Sequence, residues 1–388
     1  MLKIGIAGAR GLSTLLGFQA IDGVEVTAVC DLDGALLKEV GAAYHIPHTY
    51  RIFDDILASD IDAVVIATPM QCHVPQAIAA LDAGKHVFSE VTAGVTLDEL
   101  WWLIESVERS GKVYMFAENY CYSPENQLIR TMVRQGLFGE IYYGEGEYLH
   151  EIGGLLHQAS AKPELHASAP EKAQSAFTWR KYWQLGKHGT FYPTHSVGPL
   201  MQWFEGDRIA SIATFSSGKH VAPELRQEDT TVTLCQLESG KLLRIRVDCL
   251  SKRPHNMAYY QLQGTKGVVE APRGLGDQYK LWLTDFDKDT ESARWRPLSD
   301  FNHLLPERYR SATEAQKGAG HGGGDFFIVQ DFVDAVLGKK APDIDVYQAC
   351  EWTAVALLSE LSVTNCGRVM EMPRFRKNMP LSEQFLKL

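Results

Sequence analysis

Two hydrophobic patterns follow one another along the 388-residue chain. Up to about residue 120, short continuous apolar runs alternate with helix-like stretches; the runs are MLKIGIAG, VEVTAVC, IDAVVIAT, HVFSEV and VYMFAEN. Continuous apolar runs of that length suit strands buried on both faces of a parallel sheet. The stretches between them carry helix punctuation. Pro75 opens one helix and Gly84 closes it. Thr96 and Glu99 form a capping box ahead of LWWLIESVERS, Gly111 ends that helix, and Ser123 with Pro124 starts another running to Gly136. Repeated βα units with short links predict a doubly wound parallel sheet, whose ligands bind beyond the C-terminal strand ends. Those ends are Gly8, Asp31, Thr68, Glu90 and Glu118.

After residue 139 the grammar changes. EIYYGEGEYLHE alternates with period two, and RIASIATFS, TTVTLCQLE, KLLRIRVDCL, MAYYQLQG, GVVEAP and YKLWLTD follow it. That succession predicts a mainly antiparallel sheet of about six strands. Residues 153–190 read as a long surface excursion, of the kind that shapes a site. Two helical stretches, Asp325 to Leu337 and Asp345 to Thr364, are expected to finish the chain and pack back on its first half. The fold class is α/β. It combines a doubly wound parallel sheet over residues 1–121 with an α+β domain over residues 122–388, built on a large open sheet.

The first strand, the turn ARGLS, the helix TLLGFQAI and the strand ending at Asp31 form a βαβ unit in the order of a dinucleotide-binding, or Rossmann, domain. A turn of small residues there lets a pyrophosphate rest against backbone N–H groups at a helix N-terminus. The G-x-G-x-x-G frame falls on Gly8, Arg10 and Ser13, with Gly11 as an extra glycine, so only its first glycine is in place. The turn alone is equally that of an ordinary α/β protein; strand, helix and acid in the required order favour the nucleotide. Asp31 sits where a ribose diol is gripped and repels a 2′-phosphate, which favours NAD, while Arg10 beside the turn leaves NADP open.

Composition narrows the field. An apolar content of 45% over this length buries a full core of about two domains. A net charge of −10 with no basic run excludes nucleic acid as the natural partner. The seven cysteines are scattered and contain no C-x-x-C pair, which suits reduced thiols better than disulfides or zinc. No apolar stretch reaches about 18 residues, and the chain starts directly on a strand, so the expectation is a soluble cytoplasmic protein without a membrane partner.

The nucleotide unit, the IATP strand end at Thr68 and Pro69, then His73, then Glu90, followed by the large open sheet, resemble the Gfo/Idh/MocA family of NAD(P)-dependent oxidoreductases acting on sugars and cyclitols. The resemblance spans nearly the whole chain. Within it, AENYCY, EYLHE, FTWRKYW, FYPTHSVGPLMQWF and GAGHGGGDFF are similar to the NAD-dependent glycosidase branch, glycoside hydrolase family 109, whose typified activity is α-N-acetylgalactosaminidase. In ordinary dehydrogenases of the family an E-K-P segment follows the fifth strand, and its lysine helps move the proton of the oxidised hydroxyl. Here the segment is Glu90-Val91-Thr92, and valine exchanges no proton, so acid and base must come from elsewhere.

Replacements exist on the pattern. Tyr148 and His150 are two apart on an alternating strand and face one side, while Glu147 and Leu149 face the other. Tyr192 and His195 are three apart and share a face if the chain is helical there. By resemblance, Glu118, Tyr148, His150, Tyr192 and His195 match catalytic and substrate-contacting positions. Gly8, Arg10, Gly11, Asp31, Thr68, Pro69, His73, Glu90, Asn119, Trp179 and Arg180 match cofactor-holding ones. Glu147, His150, Glu151, His157 and His195 are of metal-ligand type but lack tight ligand spacing, so no metal is expected. The resemblance implies transient use of NAD on a carbohydrate: oxidation at a sugar carbon, elimination, hydration and reduction, with no net redox change. A plain sugar or cyclitol dehydrogenase and, more remotely, a non-catalytic nucleotide sensor are the alternatives. A homo-oligomer, dimer or tetramer, is expected from the open sheet.

Overall fold

The computed structural model describes residues 1–156, 178–286, 293–320 and 323–379. The first half alternates as β1 (Leu2–Ala7), α1 (Leu12–Gln19), β2 (Val24–Cys30), α2 (Gly34–Ala43), β3 (His48–Tyr50), α3 (Phe53–Leu57), β4 (Ala63–Ile66), α4 (His73–Asp82), β5 (His86–Ser89), α5 (Leu97–Ser110), β6 (Tyr114–Phe116) and α6 (Pro124–Arg134). The six strands form one parallel sheet in the order β3-β2-β1-β4-β5-β6. This is the doubly wound order, which reverses between β1 and β4 and opens a crevice at their C-terminal ends. All four residues of β4 are buried, as the continuous apolar run requires.

The helix punctuation is where the sequence put it. Thr96 Oγ1 accepts from Glu99 N, and the Glu99 carboxylate accepts from Thr96 N at 3.1 Å, closing the capping box on α5. Gly111 ends α5 in the left-handed region, and Ser123 caps α6 ahead of Pro124. One element reads differently. α4 begins at His73, so Pro75 lies in its first turn, where a missing N–H costs nothing.

The second half contains β7 (Ile141–Leu149), α7 (Trp179–Trp183), α8 (Thr194–Trp203), β8 (Ile209–Ser216), β9 (Thr231–Leu237), β10 (Leu242–Asp248), β11 (Asn256–Gly264), β12 (Gly267–Glu270), β13 (Lys280–Leu283), β14 (Arg296–Pro297), α9 (Glu307–Arg310), α10 (Glu314–Lys317), α11 (Gly324–Val336), α12 (Val346–Thr364) and β15 (Met370–Glu371). Its sheet has nine strands in the order β14-β13-β12-β11-β7-β10-β9-β8-β15. The sheet is mainly antiparallel as expected, and its strand number is corrected from about six to nine. β7 and β10 run parallel at its centre, and two-residue edge strands extend it. Neither feature leaves a local trace, because pairing partners are set by the tertiary fold and two residues show no periodicity.

The wholly buried α8 packs between this sheet and the end of the first. The helix α11 packs on the first half: Phe332 on α11, Phe18 on α1 and Phe88 on β5 form an aromatic trio with centroids 5.0 to 6.3 Å apart. No described helix is long and apolar enough to cross a membrane.

Candidate active site

The nucleotide turn is built for close approach. Gly8 sits at φ +92°, and a Cβ there would lie 2.4 Å from the Ala67 carbonyl oxygen, so no other residue fits. Its N–H donates to Cys30 O at 2.9 Å, and its carbonyl accepts from Gly11 N at 3.0 Å, which holds the turn tight. Gly11 plays the packing part of the fingerprint, since a Cβ on it would meet Ile6 Cγ2 at 2.7 Å. At the end of β2, Asp31 accepts from Asp33 N at 2.9 Å, and Asp33 in turn caps α2. A shallow, open recess lies between them, lined by Gly8, Leu12, Val29, Asp31 and Leu36 among others. The recess thus sets an apolar lining beside a carboxylate and a glycine turn.

Arg10 occupies the second glycine position and faces inward. The Glu90 carboxylate foremost holds its guanidinium above the usual value, with Tyr192, Asp325 and Tyr148 also within electrostatic reach. Burial pushes the Glu90 carboxyl up, and Arg10 opposes that shift. Thr68 donates to Gln76 Oε1 at 2.5 Å, and Pro69 leads into the short turn Met70–Cys72. His73 is placed otherwise than a ligand contact. It is 2% exposed, its nitrogens lie 2.7 Å from Thr92 O and 2.8 Å from Thr68 O, and burial pushes its pKa down. The imidazole ties the end of β4 to the segment after β5.

Beyond the crevice, five side chains from three stretches of the chain meet. Glu118 follows β6, is fully buried, and accepts from His195 Nδ1 at 2.7 Å. A carboxylate only accepts, so Nδ1 carries the hydrogen and Nε2 is left as the basic nitrogen. Around the His195 ring stand Tyr120, Tyr148 and Tyr192, at centroid distances of 4.4, 5.2 and 5.2 Å. Tyr148 on β7 bonds His150 Nδ1 at 2.7 Å. Burial pushes the phenols of Tyr148 and Tyr192 well above the usual tyrosine range, so both stand as neutral donors at pH 7.

Tyr192 and His195 do meet, though not by helical spacing. α8 starts at Thr194, and Tyr192 precedes it at φ +86°, a left-handed conformation that costs a bulky residue energy. That turn swings the phenol back over the imidazole. Val91 is 5% exposed and packs in the core beside the crevice.

The remaining predicted residues ring this centre. Asn119 donates to Asp325 Oδ1 at 3.3 Å, which links the end of β6 to the first turn of α11. Arg180 lies 4.6 Å over the Trp179 ring, bonds Gln184 at 2.5 Å, and acts electrostatically on Tyr148 and Tyr192. Sequence reasoning missed Tyr120 and Asp325. Tyr120 lies two residues past Glu118, and Asp325 directly follows a glycine run, so both positions carried a signal. His157, residues 157–177 of the expected excursion, and His321 and Gly322 of the GAGHGGGDFF segment lie outside the described residues. Among the described residues no group of three His, Cys, Asp or Glu side chains is placed to hold a metal.

Known proteins resemble this arrangement. Residues 2–118 match the family model described as "Oxidoreductase family, NAD-binding Rossmann fold", and residues 122–380 match "Glycosyl hydrolase 109, C-terminal domain". A protein of Shewanella oneidensis named alpha-N-acetylgalactosaminidase is 31% identical, over 97% of this chain and 85% of its own. A glycosyl hydrolase family 109 protein of Saccharopolyspora erythraea is 30% identical over 97% and 83%. Among solved structures, levoglucosan dehydrogenase in complex with NADH and levoglucosan superposes with a TM-score of 0.75 at 18% identity, covering 96% of this chain and 99% of that one. The apo scyllo-inositol dehydrogenase of Lactobacillus casei gives 0.68 at 16% identity, over 96% and 98%, and both likenesses speak for the fold alone. The chain belongs to glycosyl hydrolase family 109, an enzyme family whose members carry the NAD-binding Rossmann domain of the Gfo/Idh/MocA oxidoreductases.

Proposed function

We propose that this enzyme hydrolyses glycosides by a redox-neutral route on bound NAD. The observation that carries the reading is the His195–Glu118 pair, 2.7 Å apart at the mouth of the NAD-binding sheet, in a chain with valine where a dehydrogenase keeps lysine. α-N-Acetylgalactosaminides are the first substrates to try, because the relative from Shewanella oneidensis bears that name.

Gly8, Gly11, Asp31 and Arg10 hold the dinucleotide at one end of the crevice, with Glu90, Asn119 and Arg180 toward its other end. When bound, NAD would supply a hydride acceptor for the sugar C3–H and a donor that returns the hydride. A carbonyl at C3 makes the C2 proton acidic. His195 Nε2, with its tautomer fixed by Glu118, is the base that removes that proton. The C1 substituent then leaves, and a neutral phenol of the Tyr148–Tyr192 pair is placed to protonate it. Water adds at C1 and gives its proton to the phenolate while His195 returns a proton to C2; with the C3 carbonyl reduced again, substrate and water have become free sugar and alcohol. The protein contributes orientation and proton handling.

Incubation with an aryl glycoside in D₂O tests this directly. The expected result is released sugar carrying deuterium at C2, and no release by His195→Ala. Sugar without deuterium, or accumulation of one NADH per sugar, refutes the route; the second outcome identifies a plain dehydrogenase.

A further inference from the structure

Oxidising a hydroxyl carbon removes a hydride from carbon and a proton from oxygen, and the C2 proton must leave soon after. His195 has one free nitrogen, Nε2, and takes up one proton there, so a second acceptor is required for the other. We propose that Tyr148 takes the hydroxyl proton and that His150 relays it to solvent beside His255.

The three groups form a graded path outward. Tyr148 is 5% exposed, its hydroxyl lies 2.7 Å from His150 Nδ1, His150 is partly buried, and His255 is exposed. The His150 and His255 rings meet edge to face at 4.6 Å, with an interplanar angle of 88°. His150 is fixed by its backbone, whose N–H donates to Asp248 O at 2.8 Å just past the end of β7. The charged and titratable groups facing it are Tyr148, His255, Arg180 from α7, His195 from α8 and the adjacent Glu151. Burial first, then His255 and Arg180, push His150 down to about 4, so at neutral pH it stands as a neutral acceptor.

The step balances. The sugar O–H bond breaks and its electron pair becomes the second bond of the carbonyl, while the C–H pair departs as hydride to the nicotinamide. The hydroxyl proton passes to the Tyr148 oxygen as the Tyr148 proton passes to His150 Nδ1. His150 then loses the hydrogen on its other ring nitrogen to water at His255. Reduction of the carbonyl later runs the same transfers backward, so a redox-neutral cycle restores the His150 tautomer at each turnover.

The inference rests on the proposed hydride abstraction, but not on the elimination that follows it. Holoenzyme mixed with substrate and followed at 340 nm isolates the hydride step. His150→Asn keeps an acceptor for Tyr148 but relays nothing, and slows that step by about 10²-fold. His150→Ala slows it similarly, and added imidazole restores it. His255→Leu, an apolar plug at the exposed end, slows it as well. In ¹⁵N-histidine NMR spectra the wild-type His150 is expected to show a bare Nδ1 at neutral pH, as the Tyr148 hydroxyl donating to it requires. Wild-type rates in the His150 variants, slowing without imidazole rescue, or a protonated Nδ1 each overturn the relay; a wild-type rate in His255→Leu overturns the exit. Absence of C2 deuterium with these effects intact removes the glycosidase route and leaves the relay in place.

Discussion

Glu118 reaches no solvent, and its Oε2 is among the described buried atoms without a hydrogen-bond partner. A fully buried carboxylate that spends its other oxygen on His195 is there to orient and to stabilise positive charge as the imidazole takes a proton. Glu118→Gln keeps the shape and removes the charge, and kcat is expected to fall by about 10² to 10⁴-fold with little change in KM. A wild-type kcat would remove Glu118 from the proton machinery. At this scale the sequence was informative about identity and poor about conformation. Glu118 stood out by its place after a buried strand, and Tyr148 with His150 by period two. The left-handed backbone of Tyr192 had no local signature, because Tyr at φ +86° is held by its surroundings and not by its own preference.

Among the elements, α8 carries the geometry. His195 reaches Glu118 because one turn later the helix presents Gly198, where a Cβ would lie 2.9 Å from Glu118 Cγ, 3.0 Å from Cys121 Sγ and 3.1 Å from Trp352 Cζ3. None of these neighbours has room to retreat in a closed core. Gly198→Ala is therefore expected to cost about 1–3 kcal/mol in denaturant unfolding, and to lower kcat by parting Glu118 from His195. An unchanged unfolding midpoint would show that the helix shifts freely. The caps of α5 and α6 were legible because each lies within four residues of chain. The parallel pairing of β7 with β10 was not, since it joins segments about a hundred residues apart.

Over the whole molecule, the cofactor crevice ties the two halves of the chain together. Asn119 and Arg10 from the first half both address Asp325 of α11. Ligand bound there stabilises the folded state, and NAD at about 100 times its Kd contributes about 2.7 kcal/mol, read as a rise in Tm. Asp31→Ala at the same NAD concentration is expected to lose most of that rise. A rise with NADP as large as with NAD would refute the diol assignment to Asp31.

The sequence by itself determined the doubly wound sheet, its five strand-end residues, the nucleotide turn and the absence of a proton-exchanging side chain at Val91. Each of these is local: a run, a spacing or a single residue type settles it. The tertiary structure alone decided that Glu118, His195, Tyr148, Tyr192 and Tyr120 form one cluster, and that His73 is a buried tie. Such contacts join residues distant in the chain, and only packing of α8 between two sheets brings them within hydrogen-bond reach.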